Sequence, residues 1–100
     1  MTRRLILREE ARDDIASGAS WYDDREAGLG ERFVAEVRHV VQQIAERPAQ
    51  FRAVRQNVRR ALLQRFPYSI YFLVDTEEIV ILTVLHKRRH PETWRQRLHR

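Results

Sequence analysis

The sequence contains no cysteine. Disulfides, thiolate nucleophiles and cysteine-based zinc sites are therefore excluded. No apolar run exceeds about five residues, well short of the roughly 20 that a membrane-spanning helix needs. The N-terminal residues carry no apolar h-region, so no signal peptide is expected and a cytoplasmic location is the default. Phosphate-cradling G-x-x-x-x-G-K, dinucleotide-binding G-x-G-x-x-G and zinc-binding H-E-x-x-H patterns are all missing. Only three serines occur, Ser17, Ser20 and Ser69, and none stands in a plausible arrangement with a histidine and an acid. The four histidines, 39, 86, 90 and 99, have no third ligand at a metal-binding spacing. Neither a metal nor another cofactor is expected.

Lysine is nearly absent as well: of 19 basic residues, 18 are arginine and one is Lys87. The charge is unevenly distributed. Residues 1–46 hold 7 basic and 10 acidic groups, and residues 47–100 hold 12 basic and 4 acidic, net charges of −3 and +8. A codon-biased genome would explain arginine over lysine but not this asymmetry. The C-terminal half should project a positive field toward an acidic protein segment or a nucleic acid.

A length of 100 residues fits a single domain, residues 1–100, with a small core. Arg3 to Arg8 predicts a short strand. Ala11, Ile15, Gly18 or Ala19, and Tyr22 then follow a helical period over 9–24. Glu9, Glu10, Asp13 and Asp14 fall in its early turns, where carboxylates favour the helix dipole. The carboxylate pairs Asp13/Asp14 and Asp23/Asp24 read as solvated helix surface. Gly28-Leu29-Gly30 breaks the pattern, and a helix over 30–46 follows, with Phe33, Val37, Val40 and Ile44 as its stripe and Pro48 as its stop. Residues 49–57 are mixed and read as a loop. Tyr68, Ile70, Phe72 and Val74 alternate with Ser69, Tyr71 and Leu73, and 79–86 is apolar on both faces, predicting an interior strand. Short connections predict antiparallel neighbours. A short C-terminal helix is expected over 91–99, with Pro91 in its first turn.

The predicted fold is thus α+β: an N-terminal strand and a helix hairpin packed on a small antiparallel sheet. One sheet face should be covered by the hairpin and the other left shallow, partly apolar and rimmed by arginine. Arg59, Arg60 and Arg65 lie on or beside one strand, and His86, Lys87, Arg88, Arg89 and His90 follow the last. The plain reading is that they bind a partner's carboxylates or solvate the sheet edge. The alternative is metal-free RNA cleavage, with His86 as acid or base and arginine as phosphate clamp.

Taken in order, several pieces resemble the RelE/ParE family of bacterial type II toxins, over nearly the whole chain. They are Ala11-x-x-Asp14-Ile15, Trp21-Tyr22, Gly28-Leu29-Gly30-x-x-Phe33, Ile44-x-x-x-Pro48, Arg59 with Leu62, Phe66-Pro67-Tyr68-x-Ile70-Tyr71, and Ile79-x-Ile81-x-x-Val84-x-His86-x-x-Arg89-x-Pro91-x-x-Trp94. The hairpin and the terminal basic-Pro-Trp segment are similar to the ParE-like branch. That resemblance implies a toxin neutralised by a cognate antitoxin with an acidic tail, and a non-catalytic action on DNA gyrase. Under it, Arg59 and Arg60 are expected to meet the antitoxin, and Lys87, Arg88, Arg89, Trp94 and Arg95 the target. The other branch implies a ribosome-dependent mRNA endoribonuclease, for which His86 and Arg65 match in place. There the residue after the histidine would be tyrosine, and here it is Lys87. A non-catalytic protein-binding module is the remaining alternative.

Overall fold

The computed structural model describes residues 3–88. The order is β1 (Arg4–Leu7), α1 (Glu9–Arg25), α2 (Leu29–Glu46), a 3-10 turn (Pro48–Gln50), β2 (Arg52–Arg55), β3 (Val58–Leu62), β4 (Tyr68–Val74) and β5 (Glu78–His86). The strands form one sheet in the order β1-β5-β4-β3-β2. The C-terminal helix expected over 91–99 lies outside the described residues, as do Arg89, Trp94 and Arg95.

Two expectations about the sheet need correction. Part of the segment expected to be a loop is the edge strand β2, antiparallel to β3. Its sequence, Arg-Ala-Val-Arg, has one large apolar residue and a register shift between Ala53 and Arg55. An edge strand that short and charged carries almost no period-2 signal. The sheet is also mixed: β1 runs parallel to β5, with Arg4 opposite Glu78 and Leu7 opposite Ile81. A pairing that remote in sequence is invisible to an argument from loop lengths. β5 lies inside the sheet, between β1 and β4, and its residues 79–84 are buried.

The helix phases follow the apolar periods. Ala11, Gly18 and Tyr22 are the buried residues of α1, and Gly30, Phe33, Val37, Val40 and Ile44 those of α2. They share a core with Ala61, Ile70, Phe72, Ile79 and Ile81 of the sheet. Phe33 is the aromatic centre, 5.4 Å from Tyr22, 5.3 Å from Phe66 and 4.8 Å from Tyr68 between ring centroids. Gly18 makes room for it, since a Cβ there would lie 2.7 Å from the Phe33 ring. Arg47 ends α2, and Pro48 opens the 3-10 turn.

Two carboxylates expected on the solvated surface instead tie the helices down. Asp23 Oδ1 accepts the Gly30 N–H at 2.8 Å, capping the first turn of α2 from α1. Asp14 Oδ2 accepts the Thr83 hydroxyl at 2.7 Å and the Val84 N–H at 2.9 Å. A bulge between Tyr71 and Phe72 leaves Leu82 without a partner on β4. The backbone link from the β1 side ends with Arg8 N–H to the Ile81 carbonyl. Beyond it, the Asp14 carboxylate serves in place of a neighbouring strand. At the opposite end of β5, Asp75 Oδ1 accepts the N–H groups of Glu77 and Glu78. Those two bonds hold its carboxyl below the ordinary aspartate range.

Candidate functional site

The face of the sheet away from the helices carries the chemistry. Tyr68, Ile70 and Phe72 pack toward the helices, so Ser69, Tyr71 and Leu73 project from the other side. Directly opposed residues share a face. Arg60 stands opposite Tyr71, Leu62 opposite Ser69, Ser69 opposite Leu85, and Arg52 opposite Arg60. Across the sheet from β1 to β2 the floor is apolar, a cluster of Val58, Val80 and Leu82 with Ile6, Val54, Tyr71 and Leu73 packed on it. Toward the C-terminal end of β5 the face sinks into a cavity of about 330 Å³ lined by Arg60, Leu62, Ser69, Tyr71, Leu85, His86 and Lys87. A shallow, arginine-rimmed, partly apolar face is what the charge and alternation of the sequence predict.

The basic residues divide by what they do. Arg4 pairs with Glu78, and Arg32 with Glu26 at 2.8 Å. Arg25 lies over the Trp21 ring, 3.3 Å from its centroid. Arg59 donates to the Phe51 carbonyl at 2.6 Å. Among the described residues, no carboxylate forms an ion pair with the side chain of Arg52, Arg55, Arg60, Arg65 or Lys87.

Arg59 and Arg60, adjacent on β3, leave opposite faces of the sheet: Arg59 is opposite Phe72 and Arg60 opposite Tyr71. His86 and Arg65 are likewise separated. His86 stands opposite Tyr68, with the rings edge to face at 5.4 Å, and its Nδ1 accepts the Arg88 N–H at 3.2 Å. In the neutral ring the proton is then on Nε2. Arg65 lines a different cavity, of about 730 Å³ between α2 and the β3–β4 connection, together with Arg32, Glu36, His39 and Phe66. There the Glu36 carboxylate accepts the Gln64 N–H at 2.6 Å and the Arg65 N–H at 3.3 Å. Lys87 donates its backbone N–H to the Pro67 carbonyl at 2.8 Å, and both Lys87 and Arg88 are exposed. Tyr71, Ser69 and Arg52 were not singled out from the sequence as site residues. The alternation on β4 places Tyr71 and Ser69 on one face, but the pairing that brings them beside Arg60 and Arg52 is not legible without the register.

A helix hairpin backing a mixed five-stranded sheet, with a basic open face, defines a small α+β fold class. A solved structure described as the chromosomal ParDE TA system from P. aeruginosa shares this fold at a TM-score of 0.76 and 21% identity, over 85% of this chain and 96% of that one. No curated protein matches the sequence. The sequence model described as the ParE toxin of type II toxin-antitoxin system, parDE, matches residues 5–91, and the chain belongs to that family.

Proposed function

We propose that this ParE-family toxin poisons DNA gyrase by binding, and that a cognate antitoxin with an acidic tail neutralises it. The match to the ParE family over residues 5–91 carries the reading. The charge pattern supports it. A half-molecule of net +8, with several guanidinium groups that no carboxylate pairs with among the described residues, suits a partner that supplies acids. The antitoxin tail meets Arg59 and Arg60, on the two faces of β3. The basic segment from Lys87 and Arg88 through Arg89, Trp94 and Arg95 engages the target. No side chain acts as a nucleophile: the toxin acts by stabilising the state in which gyrase holds cleaved DNA. His86 and Arg65, the pair matched in place to the nuclease branch, line different cavities, which speaks against their acting together as acid–base group and phosphate clamp.

The test uses purified toxin with gyrase and supercoiled plasmid. Cleaved DNA should accumulate, mRNA on ribosomes should stay intact, and His86→Gln should retain toxicity. Cleavage of ribosome-bound mRNA that falls on the order of 100-fold or more in His86→Gln would establish the nuclease instead.

A further inference from the structure

The last strand ends in a histidine that holds the chain leaving it. His86 stands opposite Tyr68, and the two rings meet edge to face at 5.4 Å. Tyr68 is itself buried against Phe33 and Tyr22, with ring centroids 4.8 and 6.2 Å away. The imidazole therefore rests on the aromatic core and keeps its orientation. Two backbone N–H groups follow it. That of Lys87 donates to the Pro67 carbonyl at 2.8 Å, and that of Arg88 donates to His86 Nδ1 at 3.2 Å. These two bonds fix the point at which the basic segment begins.

The two bonds respond differently to acid. A backbone carbonyl accepts throughout the physiological range. Nδ1 accepts only through a lone pair, which the neutral ring offers when its proton is on Nε2 and which the imidazolium lacks. Protonation of His86 sets one N–H against another, so the Arg88 bond is lost while the Lys87 bond stays. Among the described residues, the charged and titratable groups placed around the ring come from several elements. They are Tyr68 of β4, Asp14 of α1 on the Val84 N–H two residues back along β5, Arg88, and Arg60, Tyr71 and Lys87 of the shared cavity. Of these side-chain types and imidazole, only imidazole ordinarily titrates between about pH 5.5 and 8.5. A change at Arg88 in that interval reports the histidine.

We propose that His86 is a pH-sensitive clasp at the root of the basic segment: the neutral ring fixes Arg88 against the end of β5, and the protonated ring releases it. Lys87, held by Pro67 in either state, is the pivot. What the clasp controls rests on the reading in which the segment from Lys87 onward engages the target. On that reading the toxin engages best with His86 neutral. His86→Gln retains a side-chain oxygen that can accept in place of Nδ1 and does not titrate, so it holds the clasp closed.

The experiment is nuclear magnetic resonance of the isotopically labelled full chain, titrated from about pH 8.5 to about pH 5.5. At the alkaline end the His86 ring should carry its proton on Nε2. On acidification the Arg88 amide should shift with the midpoint of the His86 ring. Its protection against hydrogen exchange should fall roughly 2- to 10-fold, the worth of one hydrogen bond, while that of Lys87 is kept. His86→Phe retains a ring on Tyr68 but no acceptor, so its Arg88 amide should resemble the acid form at every pH. His86→Gln should resemble the alkaline form at every pH. Gyrase-mediated DNA cleavage, measured relative to His86→Gln at the same pH, should fall by a similar factor through the midpoint in the wild type and stay low in His86→Phe. A proton on Nδ1, an Arg88 amide indifferent to the His86 midpoint, or an alkaline-form amide in His86→Phe would overturn the clasp. So would relative DNA cleavage that is unchanged through the midpoint. Absence of cleavage at every pH, with the amide coupling present, would remove gyrase as the target and leave the clasp standing.

Discussion

Asp14 accepts two hydrogen bonds from β5 at the point where β1 stops covering its edge. Thr83 is fully buried, so neither its hydroxyl nor the Val84 N–H has water to turn to if the carboxylate is lost. Asp14→Ala should therefore cost roughly 2–3 kcal/mol. Asp13→Ala, one position earlier on the exposed side of α1, should stay within about 0.5 kcal/mol of wild type. Urea denaturation of the two variants checks the contrast, and equal midpoints would show that Asp14 does not support β5. Residue type offers no hint of this difference; only the pattern Ala11-x-x-Asp14-Ile15, which contains Asp14 and not Asp13, sets them apart. Asp13 and Asp14 are the same residue type on the same turn, and only the helix's rotation against β5 separates a solvated carboxylate from a structural one. Asp23 is concealed in the same way, because its partner is the Gly30 backbone rather than a basic side chain.

At the scale of elements, legibility follows the strength of the apolar period. α2 could be placed to within a residue at its start because Phe33, Val37, Val40 and Ile44 repeat cleanly and Pro48 follows. β4 and β5 were equally plain. β2 was not, because what makes it a strand is hydrogen bonding to β3 rather than anything in Arg52–Arg55 itself. The candidate site divides along the same line. Its basic residues are visible as composition, but their grouping depends on register. That register puts Arg60 with Tyr71 and sends Arg59 to the other face. The helix phase carries its own prediction. Phe33 is fully buried at the junction of α1, α2 and β4, and Phe33→Ala should cost about 3–5 kcal/mol. In a domain whose whole stability is on the order of 5–15 kcal/mol, this variant should show a markedly lowered denaturant midpoint. A wild-type midpoint would mean that α2 is rotated away from the sheet.

Across the whole molecule the acidic and basic halves are also spatial units. The N-terminal half supplies β1 and the hairpin, and the basic half supplies the other four strands. An acidic antitoxin tail approaching this field should associate quickly and in a salt-dependent way. Stopped-flow mixing should show the rate constant falling about tenfold or more from about 50 to about 500 mM salt, with a smaller change in dissociation. Arg59→Glu with Arg60→Glu should slow association further. A rate indifferent to salt would exclude electrostatic steering.

The parallel pairing of β1 with β5 also sets a timetable. Arg4 and Glu78 are joined across 74 positions of chain, so β1 finds its neighbour only when β5 has been made. Closing so long a segment is entropically costly and delays this pairing relative to the local contacts of the hairpin and of β2, β3 and β4. In a nascent chain that has emerged only as far as β4, β1 has no strand to pair with and Asp14 faces none. The five-stranded sheet, with β5 between β1 and β4, is therefore completed only after β5 itself has been made.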